Sequence, residues 1–355
     1  MVATHRHAGR HAGGDAGGLG AGDRAPAIDL ADRARGVLIG AAVGDALGAP
    51  VEFEPPARIV GRREDLFELP GGGIFDWAPG EFTDDTQMSI VLARHLRIRG
   101  TVVQAELARE FAAWAADAKD VGNQTRAVLS AVASGSSWRA AVATLPASAA
   151  GNGSLMRVAP VALAARSRDE AVELARAQSE ITHPNEVCLD ACGVFAALLW
   201  SVLETGEVDY ARALEVAATG PVQQCILRSD AAAPAPKASG WVLHTLTCAL
   251  WAVRGADCYA DAVWRAVCLG EDADTVAAVA GALAGASWGA SSVPKACAAA
   301  LNSEHPGLSA EYPAALVQLA DALIAARAPR AVLSLLRASV LRPRLPRVLS
   351  RLHGK

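Results

Sequence analysis

Glycine recurs every fourth residue at Gly36, Gly40, Gly44 and Gly48 through an otherwise apolar stretch, and again at Gly281, Gly285 and Gly289. A four-residue period places each set on one face of a helix. An interior glycine costs a helix about 1 kcal/mol relative to alanine, so two such stripes are expected only where something approaches the backbone closely. We therefore expect the two striped helices to lie against each other or beside the floor of a site. The second stripe falls in an uncharged run, 275–294, long enough for a membrane span. Its Ala, Gly and Ser content, with Asp272 and Asp274 at its mouth, reads instead as close helix packing in a soluble core.

The rest of the composition agrees with helices. Alanine is abundant, aromatics are 5% of 355 residues, and alternating β-branched runs are scarce, which points to an all-α protein. Hydrophobic residues make up 52% and the net charge is −4, enough apolar content for one large domain and no polyanion-binding signature in its body. Periodicity and capping residues predict helices over 30–47, 84–99, 103–118, 124–134, 155–166, 168–180, 184–204, 241–253, 259–268 and 311–326, besides the second striped one. Segments 54–82 and 220–238, rich in Pro and Gly, read as irregular. Residues 1–29 are low in complexity and expected to be disordered, the folded domain spans 30–327, and 328–355 form a basic tail without an acid. That tail reads as a solvated appendage rather than a membrane or nucleic-acid contact. Seven cysteines without a C-x-x-C pair read as reduced thiols, and the first thirty residues lack an apolar signal region. Both place the chain in the cytoplasm, with no membrane insertion.

Two acidic clusters carry the chemistry. In Thr83-Asp84-Asp85 the threonine is a natural N-cap and one aspartate suits the helix dipole, but a second adjacent aspartate adds repulsion that a cation would relieve. Asp272-Ala273-Asp274-Thr275 repeats the combination at another loop-to-helix junction. Neither cluster holds His or Cys, so an all-oxygen set suits Mg²⁺ or Mn²⁺ rather than zinc. Four converging carboxylates would need about two divalent ions for charge balance. Gly151-Asn152-Gly153-Ser154-Leu155-Met156-Arg157 is a glycine-flanked loop before a helix, where free amides and the arginine suit a phosphate. Asp45 and Glu52 stand around the end of the first striped helix.

These motifs together resemble the ADP-ribosylglycohydrolase family, close to its bacterial dinitrogenase reductase-activating branch. The resemblance runs through residues 36–290. It is carried by Gly40-x-x-x-Gly44-Asp45-Ala46-Leu47-Gly48 with Val51-Glu52-Phe53, by Phe82–Ser89, by Asp120-Val121-Gly122-Asn123, by 151–157, by Ile181-Thr182-His183, and by 272–275 with Gly281-x-x-x-Gly285-Ala286. It implies a compact, single-domain orthogonal helical bundle around a binuclear Mg²⁺ or Mn²⁺ centre that hydrolyses an ADP-ribosyl bond. Carried over by position, Thr83, Asp84, Asp85, Asp272, Asp274 and Thr275 would hold the metals. Glu52 and Asp85 are the candidate acceptors of a water proton. Asp84, Asp120, Gly151, Asn152, Gly153, Ser154, Met156, His183 and Trp241 would contact the substrate, with Asp120 receiving a guanidinium. The substrate implied is an ADP-ribosylated protein, ADP-ribosyl-arginine before ADP-ribosyl-serine, O-acetyl-ADP-ribose or a nucleic-acid adduct, and ADP-ribose the product. A non-catalytic ADP-ribose-binding module is the alternative of another class. One departure stands out: Glu271 occupies a position where relatives usually carry glycine.

Overall fold

In the computed structural model, which describes residues 28–327, helix Leu30–Gly48 runs antiparallel to helix Ala273–Trp288 at backbone contact. A Cβ added at Gly36 would lie 2.1 Å from the Gly285 carbonyl oxygen, one at Gly40 2.4 Å from that of Gly281, and one at Gly44 2.1 Å from that of Ala277. The two glycine rows therefore interlock, and no side chain fits between the helices. The helix cost of the glycines is offset by the close approach it permits. Fourteen residues of the first helix, Ala34 and Gly36 through Gly48, are buried. Asp29 caps its start by accepting from the Asp32 amide at 2.7 Å. Gly289 departs from the expected stripe: it ends the second helix in a left-handed conformation, φ 79°, and its α-carbon faces the Asp32 carboxylate.

The other helices wrap this pair. Ala314–Arg327 lies alongside Leu30–Gly48, tied by the Arg35–Asp321 pair at 2.8 and 2.9 Å. Glu186–Thr205, Val242–Arg254 and Tyr259–Val267 bury their apolar faces around the rest of the core, and Tyr259 donates its hydroxyl to the Gly40 carbonyl at 2.7 Å. Leu30–Val51 and Glu186–Thr205 are long and apolar enough to cross a membrane by composition, but 94% and 78% of their apolar windows are covered by the fold itself. Among the described residues there is no β-strand, and the bundle is all-α as the sequence implies.

Several boundaries differ from expectation. The 54–82 segment contains two one-turn helices, Pro56–Ile59 and Arg63–Leu66. The 220–238 segment begins as helix Gly220–Arg228, because Thr219 caps it and Pro221 sits in the first turn, where its missing N–H is not needed. The helix expected over 155–166 is only Pro160–Ala164; the amides of Leu155 and Met156 are consumed by a tight turn onto the Asn152 carbonyl, at 2.8 and 3.0 Å. Short helices at Trp138–Val142 and Tyr210–Val216 were too brief to leave a periodic signal. The expected disordered segment 1–29, apart from residues 28 and 29, and the basic tail 328–355 lie outside the described residues.

Candidate functional site

The glycine stripe leads directly to the acidic centre. Beyond Gly44, Gly48 lies against the second acidic cluster, where an added Cβ would stand 2.4 Å from the Asp274 α-carbon. The end of one core helix thus brings Asp274 and Thr275 beside Asp45 and Glu52.

Helix Asp84–Arg99 delivers the first cluster. Its N-cap is Thr83, whose hydroxyl accepts from the Asp85 amide at 3.3 Å and lies 3.2 Å from Asp85 Oδ2. Thr275 Oγ1 donates to the same Oδ2 at 3.2 Å, joining the two clusters. Asp45, buried within the glycine-striped helix, accepts from the amides of Thr83 and Thr86 at 3.0 Å each. Its carboxylate supplies part of the cap that the first turn needs and fixes the orientation of Asp84 and Asp85. Sequence reasoning left Asp45 without a role. The signal was present, since a lone acid in an apolar helix interior requires partners, but the partners come from 38 and 41 positions away.

Two groups of carboxylates meet, Asp45–Asp85–Asp274 and Glu52–Asp272–Asp274, each with ligand-capable oxygens within 4.8 Å of one another. Oδ1 of Asp85, Oδ1 of Asp274 and Oε2 of Glu52 are buried without a hydrogen-bond partner. Buried polar atoms rarely stay unpaired, and unpaired anionic oxygens on converging carboxylates fit hard divalent cations. The electrostatics agree. Burial, then the charges of Asp120, Asp272 and Asp45, push the Glu52 carboxyl up to about 8. Burial raises Asp45 to about 6. Asp84, Asp85 and Asp274 are driven well above the usual carboxylate range by burial and then by surrounding carboxylates, Asp45 and Asp272 among them in each case. The shifts mark a cluster short of counter-charge, which cations would supply.

Glu52 and Asp272 are held together by an unusual backbone pairing. The Phe53 amide donates to the Glu271 carbonyl at 2.6 Å and the Glu271 amide to the Glu54 carbonyl at 3.0 Å. Phe53 and Glu271 both take left-handed conformations, φ 64° and 56°. Such conformations cost a non-glycine residue about 1–2 kcal/mol, and their pairing at this point marks a strained junction beside the Glu52 and Asp272 carboxylates.

The acidic centre opens into a cavity of about 450 Å³. Glu52, Asp84, Asp120, Asp272, Asp274 and Thr275 line it together with Gly151, Asn152, Gly153, Met156 and His183. Asn152 ties the loop to the second acidic cluster by donating to Asp272 Oδ2 at 2.5 Å, and it donates to Thr245 Oγ1 at 2.9 Å. Thr83 and Asp85 lie beneath the lining, as does Ser154, whose hydroxyl is paired with Ser179 at 2.8 Å. Trp241 is not part of the lining. It is 44% exposed, its indole rests edge-on against His244, and the neighbouring Ser239 and Gly240 form that wall of the cavity. The sequence also attached Arg157 to a phosphate, but its side chain is fully buried and bonded to Gln178 and Thr182, behind the loop. Gln124, which no motif reading singled out, lines the cavity and ties the glycine loop to the 181–183 segment, accepting from the Gly151 amide at 3.2 Å and donating to the Thr182 carbonyl at 2.9 Å.

Comparison with known proteins places this all-α bundle, with its paired acidic clusters and glycine loop, in a class of hydrolases. The family model described as ADP-ribosylglycohydrolase matches residues 26–332. The chain is 35% identical over 276 residues to "ADP-ribosylarginine hydrolase Tri1" of Pseudomonas putida (strain GB-1), covering 74% of this chain and 72% of that protein. It is 33% identical over 268 residues to "ADP-ribosyl-[dinitrogen reductase] glycohydrolase" of Rhodospirillum rubrum, covering 74% and 88%. A solved structure titled "ADP-ribosylglycohydrolase-related protein complex" superposes with a TM-score of 0.70 at 31% identity, covering 84% of this chain and 99% of that one. The chain belongs to the ADP-ribosylglycohydrolase family.

Proposed function

We propose that this protein hydrolyses the bond between ADP-ribose and an arginine side chain of a modified protein, with two Mg²⁺ or Mn²⁺ ions as cofactors. The observation that carries this reading is the meeting of both acidic clusters at one cavity that the 151–153 loop also lines. The arginine linkage draws on the names of the relatives and on Asp120, a carboxylate at the cavity wall suited to a guanidinium.

In this reading Asp84, Asp85, Asp272 and Asp274, with Thr83 and Thr275, hold the ions, and Asp45 keeps the first cluster in register. Bound there, the ions would supply Lewis-acid polarisation and counter-charge for the ribose hydroxyls and the attacking water. The glycine loop and His183 bind the diphosphate, and Met156 covers an apolar part of the ligand. Glu52 accepts the water's proton. It is favoured over Asp85 because Glu52 reaches the cavity with an unpaired Oε2, whereas Asp85 sits below the lining with Oδ2 engaged by two threonines. The bond between the ribose carbon and the guanidine nitrogen breaks with oxocarbenium character, the leaving nitrogen takes up the proton that water has given to Glu52, and Asp120 steadies the guanidinium so formed. Seven free cysteines, five of them buried, are consistent with a cytoplasmic setting.

A panel of defined substrates tests the assignment: ADP-ribosyl-arginine, ADP-ribosyl-serine and O-acetyl-ADP-ribose, each with Mg²⁺, Mn²⁺ or a chelator. Metal-dependent release of ADP-ribose from the arginine adduct is expected. Release only from another adduct would overturn the linkage, and binding of ADP-ribose without any release would make the chain a recognition module.

A further inference from the structure

Behind the glycine loop lies a buried polar chain that the reaction itself does not require. The Arg157 guanidinium is fully buried over the Phe111 ring, 4.4 Å from its centroid. It donates from Nε to Gln178 Oε1 at 2.8 Å, and from Nη2 to the Gln178 carbonyl at 3.0 Å and to Thr182 Oγ1 at 2.9 Å. Thr182 Oγ1 stands 2.8 Å from His183 Nδ1.

Hydrogen counting sets the direction of this chain. A guanidinium only donates, so Thr182 Oγ1 accepts from Arg157 and keeps its own hydrogen for another acceptor. His183 Nδ1 is the acceptor within reach. A neutral imidazole that accepts at Nδ1 carries its hydrogen on Nε2. The ring is 1% exposed and lines the cavity, with Nε2 against the glycine loop: a Cβ at Gly151 or Gly153 would stand 3.4 or 3.2 Å from it. Among the described residues neither Nε2 nor the amides of Gly153 and Ser154 have a hydrogen-bond partner. Burial, and then the Arg157 charge, keep His183 well below its usual pKa and so neutral.

We propose that Arg157 and Thr182 are positioning residues that fix His183 as its neutral Nε2–H tautomer, so that the ring presents a hydrogen-bond donor to a phosphate oxygen of a nucleoside diphosphate on the 151–153 loop. A phosphate oxygen has no hydrogen to give, so a ring nitrogen in the acceptor state would leave the contact repulsive. The inference rests on the ADP-ribose reading for the identity of the ligand, while the tautomer follows from the protein's own hydrogen bonds.

Two-bond ¹H–¹⁵N correlation spectra of the full chain with ¹⁵N-labelled histidine test it, with a His183→Gln variant to assign the resonances. The wild type is expected to show a single tautomer protonated at Nε2. Thr182→Val should lose that single tautomer and weaken ADP-ribose binding about tenfold, the scale of one hydrogen bond, raising KM more than it lowers kcat. Thr182→Ser, which keeps the hydroxyl, should restore both. An Nδ1–H tautomer in the wild type overturns the proposal, even if Thr182→Val does not fold. So does a Thr182→Val protein with unchanged tautomer and affinity. Turnover of ADP-ribosyl-arginine by the same wild-type sample separates the two readings. Full turnover with Nδ1–H removes the relay alone, and no turnover with Nε2–H and tight ADP-ribose binding removes the reaction alone.

Discussion

Thr275 donates its hydroxyl to Oδ2 of Asp85 at 3.2 Å, across 190 positions of sequence. Thr83 reaches the same oxygen from the other side, so one carboxylate is shared by both acidic clusters. The remaining oxygen, Oδ1, is buried and unpaired, as is Oδ1 of Asp274, whose carboxylate belongs to the same group. The threonines hold the Asp85 carboxylate in place and leave an oxygen free for a cation.

Asp274 belongs to both carboxylate groups, so its loss should be felt at the whole centre. Asp274→Asn is expected to lower kcat by at least about 100-fold, the upper range for perturbing the surroundings of a metal ligand. In chelator the same variant should melt no lower than wild type, because it removes a buried ionisable group from a cluster of carboxylates that repel one another. Hydrolysis within tenfold of wild type would remove Asp274 from the centre.

The interlocked glycines leave no room for side chains. Gly285→Leu and Gly40→Leu are expected not to fold, since the first added carbon would lie 1.9 Å from the Gly36 carbonyl oxygen or 2.4 Å from that of Gly281. Gly285→Ala should cost about 3 kcal/mol or more, at or beyond the upper end for overpacking. Gly61→Ala, where nothing lies within 4 Å, should stay within about 0.5 kcal/mol. Urea denaturation of the soluble variants measures the difference, and a stable, active Gly40→Leu protein would refute the packing argument.

Metal removal should give the protein an inverted pH response. Glu52 is raised from 4.5 to about 8 in the fold, so between those values the folded state binds a proton that the unfolded state has lost. Stability from this group is complete below pH 4.5 and is lost as pH rises through 8. In chelator, Tm is therefore expected to be higher at pH 6 than at pH 8.5, and saturating Mn²⁺ or Mg²⁺ should flatten the difference. A chelated Tm that rises with pH over this interval would contradict it. Scanning calorimetry at the two pH values makes the comparison.

Glu271 carries backbone strain at the rim of the cavity, with φ 56°. Glu271→Gly removes the left-handed penalty but adds chain entropy to the unfolded state, so the net gain is about 0.5–1 kcal/mol. Activity should persist, because the backbone pairing with Phe53 and Glu54 uses no Glu271 side-chain atom. Loss of turnover in a more stable variant would show that the carboxylate, not the turn, matters there.

Much of this was legible in the chain itself because it is local or periodic. The four-residue glycine rows could be offset only by close helix contact, and Gly36–Gly44 does meet Ala277–Gly285. Thr83 with two following aspartates marked a helix start with surplus negative charge, and it is one. All-α architecture followed from composition and period. What no local pattern could supply is which distant groups satisfy one another. Asp45 turns its carboxylate to the amides of Thr83 and Thr86, Arg157 turns away from the cavity to brace Thr182, and Trp241 stands at the rim while Gly240 forms the wall. The backbone and its repeating side chains determine elements one at a time. A buried charge is placed by desolvation, which is decided only when the elements close around it and leave a single set of partners within reach.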